Sequence, residues 1–400
     1  MNSDIIVVGG NIIGLTFALA LAQQTTLSIM VVDANVFADS WDPLDYHHRV
    51  SAVALSSQRI FQSLQVWQTI KEKRVSPFTH IQVWDAVGHE IQFDSYAIAE
   101  PLLGYIIENS LMQAVLMEKI KQYPQIHYMA PVTLKAFQQC AQHLELITSD
   151  NRVFTAKLAV AADGASSWLR QQAEIAVEQY DYHQTAIVAA VKTQLPHQKI
   201  ARQVFLPTGP LAFLPLIDTH LSSIVWSLPK ETAEAYLALD DKGFNATLSQ
   251  VFSHLDEGVL ASPRYSFPLY QQQAKHYVSS RVALIGDAAH VIHPLAGQGL
   301  NMGLLDAASL AEVIAEAIKN RRNFASLSTL RAYERWRKAD NSAMMTGVDV
   351  IKTFFASDKQ AIQTLRGMGL TLSNKIAWIK NQFICQAVGK RLGLPKLAKY

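Results

Sequence analysis

Short apolar runs closed at once by glycine organise this chain. Ile5 to Val8 is a continuous apolar stretch, Gly9 to Gly14 a tight turn, and Leu15 to Gln23 a helix with Leu15, Ala18, Leu19 and Ala22 on one face. Ser28 to Val32 reads as the next strand, which makes the opening a strand-helix-strand unit. Ile5 to Thr26 carries no charge and is long enough to cross a bilayer. However, Gly9-Gly10-Asn11 interrupts it, no basic segment precedes it and a second strand follows, so the expectation is a folded crossover unit. Lys157 to Ala161 and Val282 to Ile285 are further buried-strand patterns, and Leu300 to Ile318 is apolar at helical spacing.

Elsewhere the period shortens. Phe78 to Tyr96 alternates apolar and polar positions around Ala86-Val87-Gly88, which predicts a hairpin belonging to a separate sheet. Thr185 to Pro229 resolves into four short strands (TAIVAAVKT, ARQVFLP, LAFLPLI, LSSIVWSLP) at about ten-residue spacing, which predicts an antiparallel sheet. A helical region runs from Leu330 to about Gly393. From Lys359 to Tyr400 there are eight basic residues (Lys359, Arg366, Lys375, Lys380, Lys390, Arg391, Lys396, Lys399) and no Asp or Glu, beside an apolar stripe of Ile376, Ile379, Phe383, Ala387 and Leu392. That bias fits a docked helix with a solvated basic face, or a helix lying on an anionic membrane.

Composition narrows the classes. Half of the 400 residues are hydrophobic, which describes a folded chain of two or three interleaved lobes rather than a disordered one. A net charge of +2, without a basic run interleaved with aromatics, gives no nucleic-acid signature. Cys140 and Cys385 stand far apart, so no disulfide framework and no metal site is expected, consistent with a reducing compartment.

Three motifs carry the chemistry. Gly9, Gly10, Ile13 and Gly14 form a dinucleotide-binding turn, and Asp33, twenty-four residues after Gly9, is placed to accept ribose hydroxyls. Asn11 stands where the fingerprint has its middle glycine; Asn is the least damaging replacement because it tolerates positive φ. Asp163-Gly164-x-x-Ser167-x-x-Arg170 sets a carboxylate and an arginine at a turn beside that loop. In RVALIGDAAHVIHPLAGQGLN, Gly286-Asp287 offers a carboxylate to a sugar or polyol. After Pro294, the loop at Gly297, Gln298 and Gly299 opens a helix whose N–H groups, through Leu300 and Asn301, seat negative charge.

GDAAH, HPLAGQGLNMGLLDAASLAEVI and DGASSWLR together resemble the flavin-contacting motifs of FAD-dependent aromatic hydroxylases, and the wording is closest to the ubiquinone-biosynthesis (2-octaprenylphenol hydroxylase) group. The resemblance extends over nearly the whole chain, including LRAYERWRKADN. It implies an α/β fold like that of p-hydroxybenzoate hydroxylase: a Rossmann-like FAD-binding domain (1–76, 100–180, 276–335), an inserted antiparallel substrate domain (77–99, 181–275) and a C-terminal helical region (336–400). It implies a monooxygenase in which NAD(P)H reduces FAD, O₂ adds as a flavin C4a-hydroperoxide, and the ring of a prenylated phenol or quinone intermediate is hydroxylated.

By the same resemblance, Arg49, in DYHHRVSAVALSS, contacts the flavin and, with Pro294, Gly297 and Gly299, is a positioning candidate. Val132, Asp163, Gly164 and Arg170 are cofactor-binding positions. Asn109 either meets the cofactor or caps a helix. Gln203, Phe205, Phe213, Pro215, Trp226 and Phe267 are candidates for an apolar pocket wall, though aromatic residues at strand spacing are often plain core. His290 and His293 read as structural hydrogen-bonders. The chain shows no second Rossmann fingerprint and no redox cysteine pair, which excludes a disulfide reductase. A prenyl reductase on the same frame, or a non-catalytic scaffold of a ubiquinone-biosynthesis complex, stay as alternatives. The expected location is cytoplasmic or peripheral on the inner membrane face, in contact with other proteins of the pathway.

Overall fold

Runs such as IIVV, IMVV and LAVA have no polar face, so they can be strands only where both sides of a sheet are covered. The computed structural model describes residues 1–37, 41–43, 46–85, 90–251, 258–293, 297–356, 385–386 and 388–399. In it these runs form a six-stranded sheet in the order Val278–Ser279, Val282–Leu284, Leu158–Ala161, Ile5–Val8, Ile29–Val32, Ile126–Met129. All neighbours are parallel except the first pair, and Ile5 sits between Leu158 and Ile29. Helix Ile12–Gln24 packs against helices Gln298–Lys319 and Asn109–Ile120, so the suspected membrane stretch is a strand, a turn and a buried helix.

The second sheet has nine strands. His290–Val291, Tyr265–Ala274, Val177–Thr193, Leu221–Pro229, Gly209–Pro215, Ile200–Leu206, His80–Asp85 and Glu90–Asp94 lie side by side, with Gly258–Leu260 added on Val177–Thr193. The expected hairpin pairs antiparallel and joins this sheet by a parallel contact between His80–Asp85 and Ile200–Leu206; residues 86–89, its anticipated turn, lie outside the described residues. The strand expected to start at Thr185 starts instead at Val177, and so runs across the 180/181 boundary drawn from the sequence. Its first half, VEQYDYH, has no apolar alternation and is extended because the backbone of Tyr265–Ala274 pairs with it, with a bulge between Asp181 and Gln184.

Helices Lys230–Ala238 and Asp241–Val251 cover one face of this sheet. Trp226, Phe213, Ile187, Leu228, Ala233 and Phe244 fill that interface. The opposite face meets a three-stranded sheet of Val50–Ala54, Gly104–Glu108 and Ser76–Phe78.

Of the terminal helical region, the described residues include one long helix, Leu327–Ala356, packed on Gln298–Lys319. The proposed membrane stripe at Ile376, Ile379, Phe383 and Ala387, with Lys359, Arg366, Lys375 and Lys380, lies outside the described residues. Residues 388–399 run back over both lobes. Lys390 bonds Ile98 O and pairs with Glu100, Arg391 pairs with Asp340, and Lys396 pairs with Glu312 and Glu316, so these three cations are spent on protein partners. Among the described residues no helix is long and apolar enough to cross a membrane.

Candidate cofactor site

Ligands of open α/β sheets bind beyond the carboxyl ends of the strands, and all three motifs stand there: Gly9 after Ile5–Val8, Asp163 after Leu158–Ala161, Asp287 after Val282–Leu284. The turns are pressed together. A Cβ at Gly9, which has φ +106°, would lie 2.3 Å from Ala162 O, and one at Gly14 would lie 2.0 Å from Gly9 O, so only glycine lets the first turn close on the strand beside it. Ile13 packs against Gly286 and Gly303, which locks the first helix to the third motif.

Asp33 ends its strand with its carboxylate accepting Gly10 N–H at 2.7 Å and Asn35 N–H at 2.8 Å, while its carbonyl accepts Val132 N–H at 2.7 Å. Val132 itself is buried in the core. Asn11 departs from expectation. Its φ is −89°, so no left-handed tolerance is used; instead its Oδ1 accepts Ile12 N–H at 2.7 Å and caps the helix. The middle glycine of the fingerprint is therefore missed here for its lack of bulk, not for its φ.

Asp163 accepts Ser167 Oγ–H at 2.5 Å and Leu169 N–H at 3.1 Å, and burial pushes its carboxyl upward against those bonds. Arg170 is buried, and its guanidinium donates to Ala288 O at 2.9 Å and Ala165 O at 2.8 Å. It staples the second motif to the third. Gly164 opens onto free space: a Cβ there would meet nothing within 4 Å. Asp287 is solvent-exposed at the floor of the cleft, with no hydrogen-bond partner among the described residues. The protein walls beside it keep part of the water away and raise its carboxyl, with Asp306 acting in the same sense and His290 and Arg49 in the opposite one.

Helix Gln298–Lys319 begins at Gly297 in the left-handed region (φ +57°), with no side-chain cap and no acidic residue in its first turn. By helix geometry the N–H groups of Gly297 to Leu300 have no intrahelical acceptor, and a Cβ at Gly299 would meet nothing within 4 Å. Pro294 lies outside the described residues. Asn301 differs from its neighbours. Its Oδ1 accepts Ala54 N–H at 2.9 Å and Ser57 Oγ–H at 2.7 Å, and its Nδ2 donates to Ala52 O at 2.8 Å and Gly297 O at 3.1 Å. Its side chain holds the helix start in place rather than facing the cleft. Asn109 is the first residue of its helix, and its Oδ1 accepts Ser51 Oγ–H at 2.7 Å, so it is not that helix's cap.

Arg49 is exposed, with its guanidinium 5.4 Å from the Phe267 ring centroid. The loop that carries it is pinned by Glu108, a pairing the sequence did not reveal: the buried carboxylate accepts Arg74 Nε at 2.7 Å, Trp41 Nε1 at 3.2 Å and His47 N–H at 2.7 Å. His48 stacks on Tyr265 at 4.0 Å. Strand alternation sets Gln203, Phe205 and Phe267 on the cleft side of the large sheet. It places Phe213, Pro215 and Trp226 on the other side, where Phe213 and Trp226 join the helix-covered core. Those three are therefore removed from the pocket wall, since the period of two distinguishes faces but does not say which face meets the cofactor.

His290, read as structural, is buried and donates Nε2–H to Asp306 at 2.5 Å. His293 is also buried, its ring against Tyr182. Asp306 is the residue that sequence reading missed. It lies on the third turn of an apolar helix face and bonds Arg337, thirty-one positions on, at 2.8 Å. Cys140 is less isolated than expected: its donor atom and those of His143 and Glu145 lie within 4.8 Å of one another on one hairpin, with His143 bonded to Glu145 at 3.2 Å.

An uncapped helix N-terminus, an unpartnered carboxylate on the cleft floor and two glycines facing open space fit a long anionic ligand with a polyol segment. A family model described as "FAD binding domain" matches residues 2–347. The chain is 31% identical to 3-demethoxyubiquinol 3-hydroxylase of Escherichia coli over 97% of this chain and 98% of that one. It is 33% identical to ubiquinone hydroxylase UbiL of Rhodospirillum rubrum over 97% of this chain and 90% of that one. Among solved structures, p-nitrophenol 4-monooxygenase PnpA of Pseudomonas putida matches with a TM-score of 0.82 at 18% identity, covering 98% of this chain and 100% of that chain. PqsL of Pseudomonas aeruginosa matches with a TM-score of 0.78 at 20% identity, covering 93% of this chain and 100% of that chain.

Proposed function

Because this chain belongs to the FAD binding domain family and is an FAD-dependent monooxygenase, we propose that it hydroxylates the ring of a prenylated phenol or quinone intermediate on the route to ubiquinone, with NAD(P)H as electron donor. The observation that carries this reading is the near-full-length identity to ubiquinone hydroxylases, since it spans the substrate sheet as well as the cofactor domain.

FAD, when bound, supplies the redox and oxygen chemistry. The chain's residues do the rest. Asp33 and Asp287 are the carboxylates available to ribose and polyol hydroxyls, and the N–H groups of Gly297 to Leu300 supply positive potential for negative charge on the cofactor. Arg170 and Asn301 hold two of these elements through buried bonds to the main chain. On the facing sheet, Phe205 and Phe267 give an apolar wall that keeps water from the reacting ring, and Arg49, over Phe267, stands where wall and cofactor motifs meet.

A peripheral position on the inner membrane face is part of the same proposal, because an isoprenoid-bearing substrate partitions into lipid. The test is an aerobic assay of the FAD-loaded protein with NADH or NADPH and a prenylphenol, following O₂ uptake and the product mass. Donor-dependent uptake with one oxygen gained by the ring is the expected result. A phenol recovered unchanged refutes it, and a saturated prenyl chain without O₂ uptake indicates the reductase instead.

A further inference from the structure

Behind the cleft floor lies a buried polar cluster that the reaction does not use directly. Asp306 is fully buried, and both of its oxygens are filled by donors. Oδ2 accepts His290 Nε2–H at 2.5 Å and Gly286 N–H at 3.2 Å, while Oδ1 accepts Arg337 Nε–H at 2.8 Å and Asn341 Nδ2–H at 3.1 Å. A carboxylate has about four lone-pair positions, so this one is saturated. Arg337 goes on to Asp340 and to Asn341 Oδ1, and Asp340 pairs with Arg391 of the returning C-terminal segment. Two guanidiniums thus face two carboxylates, which is the condition for keeping such charges inside a protein.

One half of Asp306 holds the long helix and the other holds the cofactor turn. Gly286 has φ +60° and directly precedes Asp287, and His290 ends the same turn four residues later. Asp306 therefore grips both ends of the five-residue segment that carries Asp287, whose carboxylate has no hydrogen-bond partner among the described residues.

We propose that Asp306 is a positioning residue for FAD: through Gly286 N–H and His290 it fixes the turn that aims Asp287 at the cofactor. The inference rests on FAD binding and is independent of the substrate's identity. All four partners donate, so the same-shaped Asp306→Asn brings two donors into a site built from donors. The amide oxygen stays with the Arg337 guanidinium, which cannot accept, so Nδ2 faces the turn; there it can be received only by His290 in the other tautomer, and Gly286 N–H then has no acceptor left.

Two readouts test this on the full-length protein. FAD titration of the apoprotein, followed by flavin fluorescence, should give an Asp306→Asn dissociation constant at least tenfold above wild type. Hydrogen-exchange mass spectrometry of the apoprotein should show faster exchange in the peptide over 282–291, with the remote helix Lys230–Ala238 unchanged. A purely structural role would speed exchange everywhere and leave the affinity of the folded fraction alone, and that result overturns the proposal. If Asp306→Asn does not fold, His290→Phe keeps a ring and removes one donor. It should loosen the same peptide and weaken FAD about threefold, whereas wild-type exchange and affinity in that variant also refute the inference.

Discussion

Replacing Asn301 by Ala tests the architecture at its tightest polar joint. The side chain is 3% exposed and makes four hydrogen bonds to groups near 250 residues away in sequence or at its own helix start. The Ser57 hydroxyl can turn elsewhere, but Ala54 N–H and Ala52 O are left facing a methyl-sized gap. At about 1 kcal/mol net per bond, and up to about 3 kcal/mol for a stranded buried group, the loss should be about 3–5 kcal/mol. That is a large share of the roughly 5–15 kcal/mol that holds a folded chain together. The assay is urea unfolding of the apoprotein by circular dichroism, repeated with saturating FAD. Because Asn301 fixes the helix start that receives the cofactor, FAD should restore less stability to the variant than to wild type. A loss under about 1 kcal/mol would refute the reasoning, since it would mean that the strand Val50–Ala54 and the helix at Gly297 do not depend on each other.

Asn11→Gly should cost only a few tenths of a kcal/mol as a lost cap while freeing Ile12 N–H, so the FAD dissociation constant should fall by about two- to tenfold, the worth of one hydrogen bond; a rise measured by titration would contradict the cap assignment. Trp226→Ala should lower stability by about 3–5 kcal/mol with KM for the phenol unchanged, whereas Phe267→Ala should raise KM with little change in the unfolding midpoint; the reverse pattern would put the sheet's faces the other way round. Burial works to raise the carboxyls of Asp306 and Asp340, but their cationic partners outweigh it and hold both below the usual range. Their stabilisation is therefore fully present above the unfolded value of about 3.9 and is lost as pH falls through the lower folded values. An acid titration of stability should accordingly be shallower for Asp306→Asn below about pH 4 than for wild type, and parallel curves would refute the pairing.

The local signals were legible in the chain itself. An apolar tetrapeptide running into glycine specifies a strand end, because backbone sterics and the absence of a Cβ act within a few residues; this occurs at Gly9, at Gly164 just after Asp163, and at Gly286 just before Asp287. Periodicity likewise marked helix Gln298–Lys319 and the strands of the second sheet. What sequence could not settle was which face of a strand meets what, as Phe213 and Trp226 show, because a period of two is the same seen from either side. It also missed the extended segment from Val177, whose polar side chains carry no strand pattern and whose backbone is held by residues near position 270. The partner of Asp306 was invisible for a related reason. A carboxylate on an apolar helix face announces that something must neutralise it, but only the packing of a second helix brings Arg337 there.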